Sequence, residues 1–246
     1  MPRTIRLTLA YEGTELSGWQ VQPERATVQG LVMAACHRVL GAPVKVTGAS
    51  RTDAGVHALR QVASFATASA MPAARLGRAL NAVLPPAIRV LDSRDAPSGF
   101  DARRSAAGKR YGYLIDRGST ADPFLRRHAW HPGFHLDAAA MAQALGHVRG
   151  KHDFQAFCAA AGRGRTPVCI VFSTRVVERR DRLALFVSAD SFLHHMVRNL
   201  VGSLVEVGRG ARSPEWMAEL LTGRDRTLAG PTAPAHGLTL IRVLYR

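Results

Sequence analysis

A single carboxylate, Asp53, lies in a stretch of small residues that reads Gly48-Ala49-Ser50-Arg51-Thr52-Asp53-Ala54-Gly55-Val56-His57-Ala58. Small side chains on both sides of Asp53 let a ligand approach the backbone, and glycine adopts a positive φ without steric cost. Arg51 adds a guanidinium, which binds phosphate in a fixed fork geometry. A carboxylate held in such a loop can act as a general base or as a nucleophile. The alternative is an ordinary turn, since Asp-Ala-Gly is common turn chemistry.

The elements predicted around this loop are those of a small α+β unit. Alternating apolar residues predict a strand over 5–11, and Thr27 and Gly41 are typical of the start and end of a helix. Strand-like runs at 44–47 and 61–67 flank the Asp53 loop. A helix beginning at Pro72 and a strand over 88–93 complete the order β-α-β-β-α-β, the ferredoxin-like split βαβ plan.

The second half of the chain repeats this plan in pattern, without clear sequence identity. Asp137 is a candidate helix cap, runs at 168–177 and 183–189 predict a hairpin, and Ser191 is predicted to open a long helix. We therefore predict an α+β fold with two ferredoxin-like halves. Residues 1–105 would form the half that carries the Asp53 loop, and residues 106–246 the other. Their sheets would flank a central basic cleft that contains Asp53.

The charge balance predicts a polyanionic partner. The 246 residues include 33 Lys and Arg against 18 Asp and Glu, a net charge of +15. Such an excess favours nucleic acid or an anionic membrane surface. No apolar stretch reaches the length of a membrane span, which argues against a membrane protein. The three cysteines (Cys36, Cys158 and Cys169) form no Cys-x-x-Cys pair and fit the reducing cytoplasm.

Several classes of enzyme lose support because their motifs are missing. The sequence has no phosphate-binding P-loop, no Gly-x-Gly-x-x-Gly after a strand and no Gly-x-Ser-x-Gly. The histidines lack neighbouring cysteines or carboxylates at a spacing typical of metal ligands. We therefore expect neither a small-molecule cofactor nor a metal ion.

Three further segments combine cations with aromatic or apolar residues. Residues 100–113 include Phe100, Arg103, Arg104 and Tyr111. In proteins that bind single-stranded nucleic acid, such cations bind the phosphates and such aromatic rings stack on unpaired bases. The alternative there is a solvated basic loop beside a strand. Residues 162–167 read Gly-Arg-Gly-Arg-Thr-Pro, a cationic loop or simply a polar connection. In the third segment, 192–204, Arg198 lies off the apolar stripe of a helix. A buried cation usually needs an anionic partner, which could be an unrelated surface acid.

These segments resemble the motifs of the tRNA pseudouridine synthase A (TruA) family: Arg-Thr-Asp-Ala-Gly-Val-His, Phe-x-Ala-Arg, Arg-Thr-Pro and His-His-Met-Val-Arg-Asn. The resemblance covers essentially the whole chain, with Ser50 where relatives often have glycine. It implies the pseudouridine synthase fold and an isomerase, an intramolecular transferase. Such enzymes convert uridine to pseudouridine at positions 38, 39 and 40 of the tRNA anticodon stem-loop, after flipping the base. The family works as a homodimer without a cofactor.

The resemblance also implies roles for individual residues. Asp53 would be the essential catalytic residue, as nucleophile or as base, and Tyr111 would stack on the target uracil. Arg198 would lie beside Asp53 and keep it ionised by lowering its pKa. Arg51 would fill the space left by the flipped base. Contacts with RNA would come from Phe100, Arg103, Arg104 and Arg165.

Two other functional classes fit part of the pattern. An RNA-binding module or chaperone would share the positive charge but would not need Asp53. A different RNA-modifying enzyme, such as a methyltransferase, would need a cofactor loop that the sequence lacks. Release of tritium from uracil C5 in labelled tRNA without added cofactor distinguishes the synthase from both.

Overall fold

The computed structural model describes residues 2–159 and 166–246, which form nine strands and five α-helices. The predicted α+β class is confirmed. The strands are β1 (Arg3–Tyr11), β2 (Thr47–Gly48), β3 (His57–Thr67), β4 (Ile88–Asp95), β5 (Ala106–Asp116), β6 (Gly150–Asp153), β7 (Val168–Arg179), β8 (Arg182–Ala189) and β9 (Leu238–Tyr245). The helices are α1 (Val28–Leu40), α2 (Ala73–Val83), α3 (Ala138–Gly146), α4 (Met196–Gly208) and α5 (Trp216–Gly223). No helix in the described residues is long and apolar enough to cross a membrane.

The elements group into two compact units. The first unit comprises Met1–Ala107 and Thr239–Arg246, and the second unit comprises Gly108–Leu238. The predicted boundary falls once, after residue 105, with residues 106–246 forming the second half. The first unit is instead discontinuous in sequence, because the last eight residues join it.

The sheet of the first unit is mostly antiparallel. β1 pairs with β4 on one side and with β3 on the other, and β2 pairs with the far edge of β3. The same edge of β3 pairs in parallel with β9 at His57 and Ala58, so the sheet is mixed. The apolar side chains at alternate positions of β1 are fully buried, as the period of two predicts: Ile5, Leu7 and Leu9.

The predicted ends of α1 are confirmed. The Thr27 side chain accepts a hydrogen bond from the backbone N–H of Gly30 at 3.3 Å, and Gly41 ends the helix in the left-handed conformation with φ 73°. The strands around the Asp53 loop differ in length from the prediction. β2 is only two residues long, whereas β3 begins four residues before the predicted start. The loop that carries Asp53 therefore spans residues 49–56.

The sheet of the second unit has the order β5-β8-β7-β6, with antiparallel neighbours. The predicted hairpin is confirmed, since β7 and β8 pair up to Arg179 and Arg182. The predicted cap of α3 is also confirmed, because the Asp137 carboxylate accepts from the N–H groups of Ala139 and Ala140 at 2.8 and 3.0 Å. β6 was not predicted: its sequence, Gly-Lys-His-Asp, has no alternation of apolar residues.

The predicted start of the long helix at Ser191 is wrong. α4 begins five residues later at Met196, after His195, which adopts a left-handed conformation with φ 61°. A residue with positive φ interrupts an α-helix, so residues 191–195 cannot continue it. The Ser191 hydroxyl contacts Asp190 and Cys169 rather than a helix terminus.

Candidate active site

The Asp53 loop is held by backbone hydrogen bonds to two neighbouring segments of the first unit, β3 and the connection between β1 and α1. The N–H of Ala49 donates to the Val62 carbonyl at 2.8 Å, which extends the contact of β2 with β3. The Thr52 carbonyl accepts from the N–H of Trp19 at 3.0 Å, and the N–H of Gly55 donates to Leu16 at 3.2 Å. These bonds fix the residues on both sides of Asp53.

A buried polar network lies under the same loop. The Tyr11 and Thr52 hydroxyls are 2.8 Å apart, and both side chains are almost fully buried. Gln61, with no exposed surface, donates to the Ser50 carbonyl at 2.7 Å and accepts from the Ser50 N–H at 3.3 Å. Burial raises the pKa of Tyr11 to about 12, so its hydroxyl stays protonated at neutral pH.

This network was not predicted from the sequence. The available signal was Gln61 within a strand-like run, because a polar side chain that is buried in a sheet is normally hydrogen-bonded.

Close packing explains why small residues surround the loop. A Cβ atom on Gly48 would lie 2.3 Å from the indole ring of Trp19, and Trp19 is buried. A Cβ atom on Gly18 would lie 2.6 Å from the Thr52 carbonyl oxygen, and Gly18 has a φ of 83°. At these positions a side chain would push the loop away from its supports.

The two charged residues of the loop have different exposure. Arg51 is exposed, while Asp53 is half-buried. The turn continues from Asp53, whose carbonyl accepts from the N–H of Val56 at 3.2 Å. The loop thus presents a half-buried carboxylate with an exposed cation two residues before it, an arrangement suited to chemistry beside a phosphate group.

The predicted RNA-binding residues near position 100 also lie in the first unit. Phe100 packs against Tyr245 with ring centroids 5.4 Å apart. The backbone N–H groups of Arg103 and Arg104 donate to the Asp101 carboxylate at 2.9 and 2.8 Å, which fixes the turn. Both arginines are exposed. Their guanidinium groups are therefore accessible to a polyanion.

Tyr111 and Arg198 belong to the second unit. Tyr111, on β5, is 5% exposed and meets the ring of Phe192 edge-on at 5.0 Å. Arg198, on α4, is half-buried, and its Nε atom donates to the Ala233 carbonyl at 2.8 Å. The pair predicted between Arg198 and Asp53 joins residues of different units and stays a prediction. Arg165 lies outside the described residues.

Comparisons with known proteins agree with these features. A model of the family described as tRNA pseudouridine synthase matches residues 8–103 and 144–246. A tRNA pseudouridine synthase A from Myxococcus xanthus is 44% identical over all of this chain and 93% of its own length. One from Moorella thermoacetica is 45% identical over 98% of this chain and 99% of its own. Among solved structures, a chain of the archaeal box H/ACA sRNP Nop10-Cbf5 complex is 11% identical in sequence and aligns with a TM-score of 0.37. The alignment covers 82% of this chain and 43% of that chain, and a likeness this weak supports no argument.

Proposed function

Because the chain belongs to the tRNA pseudouridine synthase family, we propose that it isomerises uridine to pseudouridine in tRNA. The reaction breaks the bond between uracil N1 and ribose C1′, turns the base, and joins C5 to C1′. The C5 proton leaves and N1 gains one, so no electrons, phosphate or water are consumed. The chain therefore needs only to extract the base from the stack, at a cost of a few kcal/mol, and to hold the reacting groups.

The observation that carries this proposal is the support of the Asp53 loop. A half-buried carboxylate on a loop fixed by Thr52, Gln61 and Gly55 is preorganised for attack or proton transfer. In this proposal Asp53 either attacks the ribose as a nucleophile or removes a ribose proton as a base. Arg51 holds the phosphate of the flipped nucleotide.

The remaining site residues have proposed roles in substrate binding. Tyr111 stacks on the uracil, and Phe100, Arg103, Arg104 and Arg165 contact the RNA. The exposure of Arg103 and Arg104 supports that role for these two. The net charge of +15 supports binding to the tRNA backbone. We place the target at positions 38, 39 and 40 of the anticodon stem-loop, as in the TruA family.

Three finer features of the assignment are also proposals. The chain acts as a homodimer, with tRNA lying across both subunits. It works in the cytoplasm, a location supported by the sequence, whose three cysteines form no Cys-x-x-Cys pair. Both halves follow the ferredoxin-like plan. The strand orders support this plan: the antiparallel strands run β4-β1-β3-β2 in the first unit and β5-β8-β7 in the second unit.

The test is the variant Asp53→Asn, which keeps the shape of the side chain and removes its charge. We expect it to bind tRNA with wild-type affinity and to lose at least about a hundredfold in the rate of pseudouridine formation. The rate is measured by tritium release from uracil C5, and the modified position by mapping pseudouridine in the product. Asp92→Asn is the matched control, because Asp92 is exposed and forms an ion pair with Arg94 on the same strand, β4. Wild-type isomerisation by Asp53→Asn would refute the assignment of Asp53.

A further inference from the structure

The second unit contains a buried polar cluster around Asn199 that takes no part in the proposed chemistry. Asn199 has no exposed surface, and its amide donates to the Phe157 carbonyl at 2.8 Å. Its side-chain oxygen accepts from the Thr232 hydroxyl at 2.7 Å and from the Arg226 guanidinium at 3.1 Å. We call Asn199, Arg226 and Thr232 the Asn199 cluster. It joins α4 to the segment that precedes β9.

Arg226 uses its guanidinium to hold that segment. One terminal nitrogen donates to the Gly230 carbonyl at 3.0 Å and to the Ala229 carbonyl at 3.4 Å. The other donates to the Thr232 hydroxyl at 3.2 Å as well as to Asn199. A planar guanidinium with donors in a fixed fork imposes the spacing of its acceptors. Residues 229–232 are therefore held in one conformation relative to α4.

The same segment packs directly on the backbone of α4. A Cβ atom on Gly202 would lie 1.6 Å from the Pro231 carbonyl oxygen, and one on Gly230 would lie 2.7 Å from Ser203 Cα. The Ser203 hydroxyl accepts from the N–H of Gly230 at 3.0 Å. The absence of side chains at both glycines lets helix and segment touch.

The next residue of the segment contacts Arg198. The Ala233 carbonyl accepts from Arg198 Nε at 2.8 Å, and the Ala233 N–H donates to the Arg198 carbonyl at 3.1 Å. The carbonyl that orients this guanidinium thus directly follows Thr232 in the chain. A shift of Thr232 would move the acceptor of Arg198.

We propose that the Asn199 cluster positions Arg198 for the isomerisation, by fixing the Ala233 carbonyl that orients the Arg198 guanidinium. The proposal rests on the proposed function and on the expectation, given by the family resemblance, that Arg198 acts on Asp53. Asn199, Arg226 and Thr232 act through Arg198 and do not touch the substrate. Loss of the cluster should slow the chemical step and leave tRNA binding unchanged.

The experiment compares Thr232→Val, which removes both hydrogen bonds of the hydroxyl at nearly constant volume, with Thr232→Ser, which keeps the hydroxyl. Thr222→Val is the matched control, since the exposed Thr222 hydroxyl donates to the Ala218 carbonyl outside the cluster. We expect kcat of Thr232→Val to fall by about ten- to a hundredfold with KM near the wild-type value, as for a mispositioned group. Thr232→Ser and Thr222→Val should retain wild-type kcat.

A double-mutant cycle with Arg198→Ala separates positioning from simple stabilisation. If the cluster acts through Arg198, adding Thr232→Val to Arg198→Ala lowers kcat no further. Wild-type kcat in Thr232→Val, or a full additional loss in the double variant, would overturn the proposal. Should Thr232→Val not fold, Arg226→Lys takes its place; if neither folds, the role is structural and the proposal is wrong. Inactivity of the wild-type chain would instead refute the proposed function.

Discussion

Replacing Tyr11 by phenylalanine tests whether the network under the Asp53 loop supports catalysis. The substitution removes one oxygen from a side chain that is only 4% exposed. The main loss is the 2.8 Å hydrogen bond to Thr52, because the second contact, from Gln61 at 3.4 Å, is long. Gln61 keeps its bond to the Ser50 carbonyl. Thr52 is therefore the group left without this partner.

A buried hydroxyl that loses its partner costs about 1–3 kcal/mol of unfolding free energy. For a chain of this size, each kcal/mol lowers Tm by about 2–4 °C. Since Thr52 directly precedes Asp53, we also expect kcat for tRNA isomerisation to fall by about tenfold or more, with tRNA affinity unchanged. Scanning calorimetry measures the change in Tm, and the tritium-release assay measures the change in kcat.

Tyr245→Phe is the matched control for this variant. Like Tyr11→Phe, it removes a phenolic hydroxyl that makes a hydrogen bond. The Tyr245 hydroxyl donates to the Ala102 carbonyl at 2.7 Å. It should lower Tm to a similar extent while keeping wild-type kcat, because Tyr245 does not hydrogen-bond to the Asp53 loop. If Tyr11→Phe loses stability but keeps full kcat, the network serves folding alone and the reasoning about preorganisation fails.

Two further predictions concern stability. Burial raises the pKa of Tyr11 to about 12 in the folded state, so between about pH 10 and pH 12 the tyrosine hydroxyl loses its proton in the unfolded state first. The unfolding free energy should therefore decrease as the pH rises through this range. Urea unfolding should show a smaller decrease for Tyr11→Phe. Gly48→Ala should lose about 1–3 kcal/mol, because the added methyl would lie 2.3 Å from the ring of Trp19. Gly146→Ala is the control: Gly146 has open space around it, so this variant should have a Tm equal to or above that of the wild type. Equal Tm values for the two glycine variants would contradict the packing argument.

Local patterns predicted the parts of the fold that depend on neighbouring residues. Thr27, Gly41 and Asp137 act at helix ends through bonds made within a few residues, so the sequence was sufficient to identify them. The predicted start of α4 was wrong because His195 adopts a left-handed conformation, and such a conformation is uncommon for any residue other than glycine, so the sequence alone does not predict it.

The sequence singles out two candidate site residues but not the residues that support their loop. Asp53 and Arg51 stand in a distinctive run of small residues, and that run sufficed to single them out. Thr52, Tyr11 and Gln61 meet only because β1 pairs with β3, a contact between residues about 50 positions apart. Arg226 and Thr232 likewise reach Asn199 across a distance of about 30 residues. Such partners need the tertiary structure.

The discontinuity of the first unit has a consequence for biosynthesis. Tyr245 packs against Phe100, and its hydroxyl donates to the Ala102 carbonyl. The Arg6 guanidinium lies over the ring of Tyr245, 4.6 Å from the ring centroid. A ribosome adds Tyr245 only after translating the whole second unit. Until then the nascent first unit exposes the surface that Tyr245 will cover, so the part of the chain that carries Asp53 cannot complete its fold before the second unit has been synthesised.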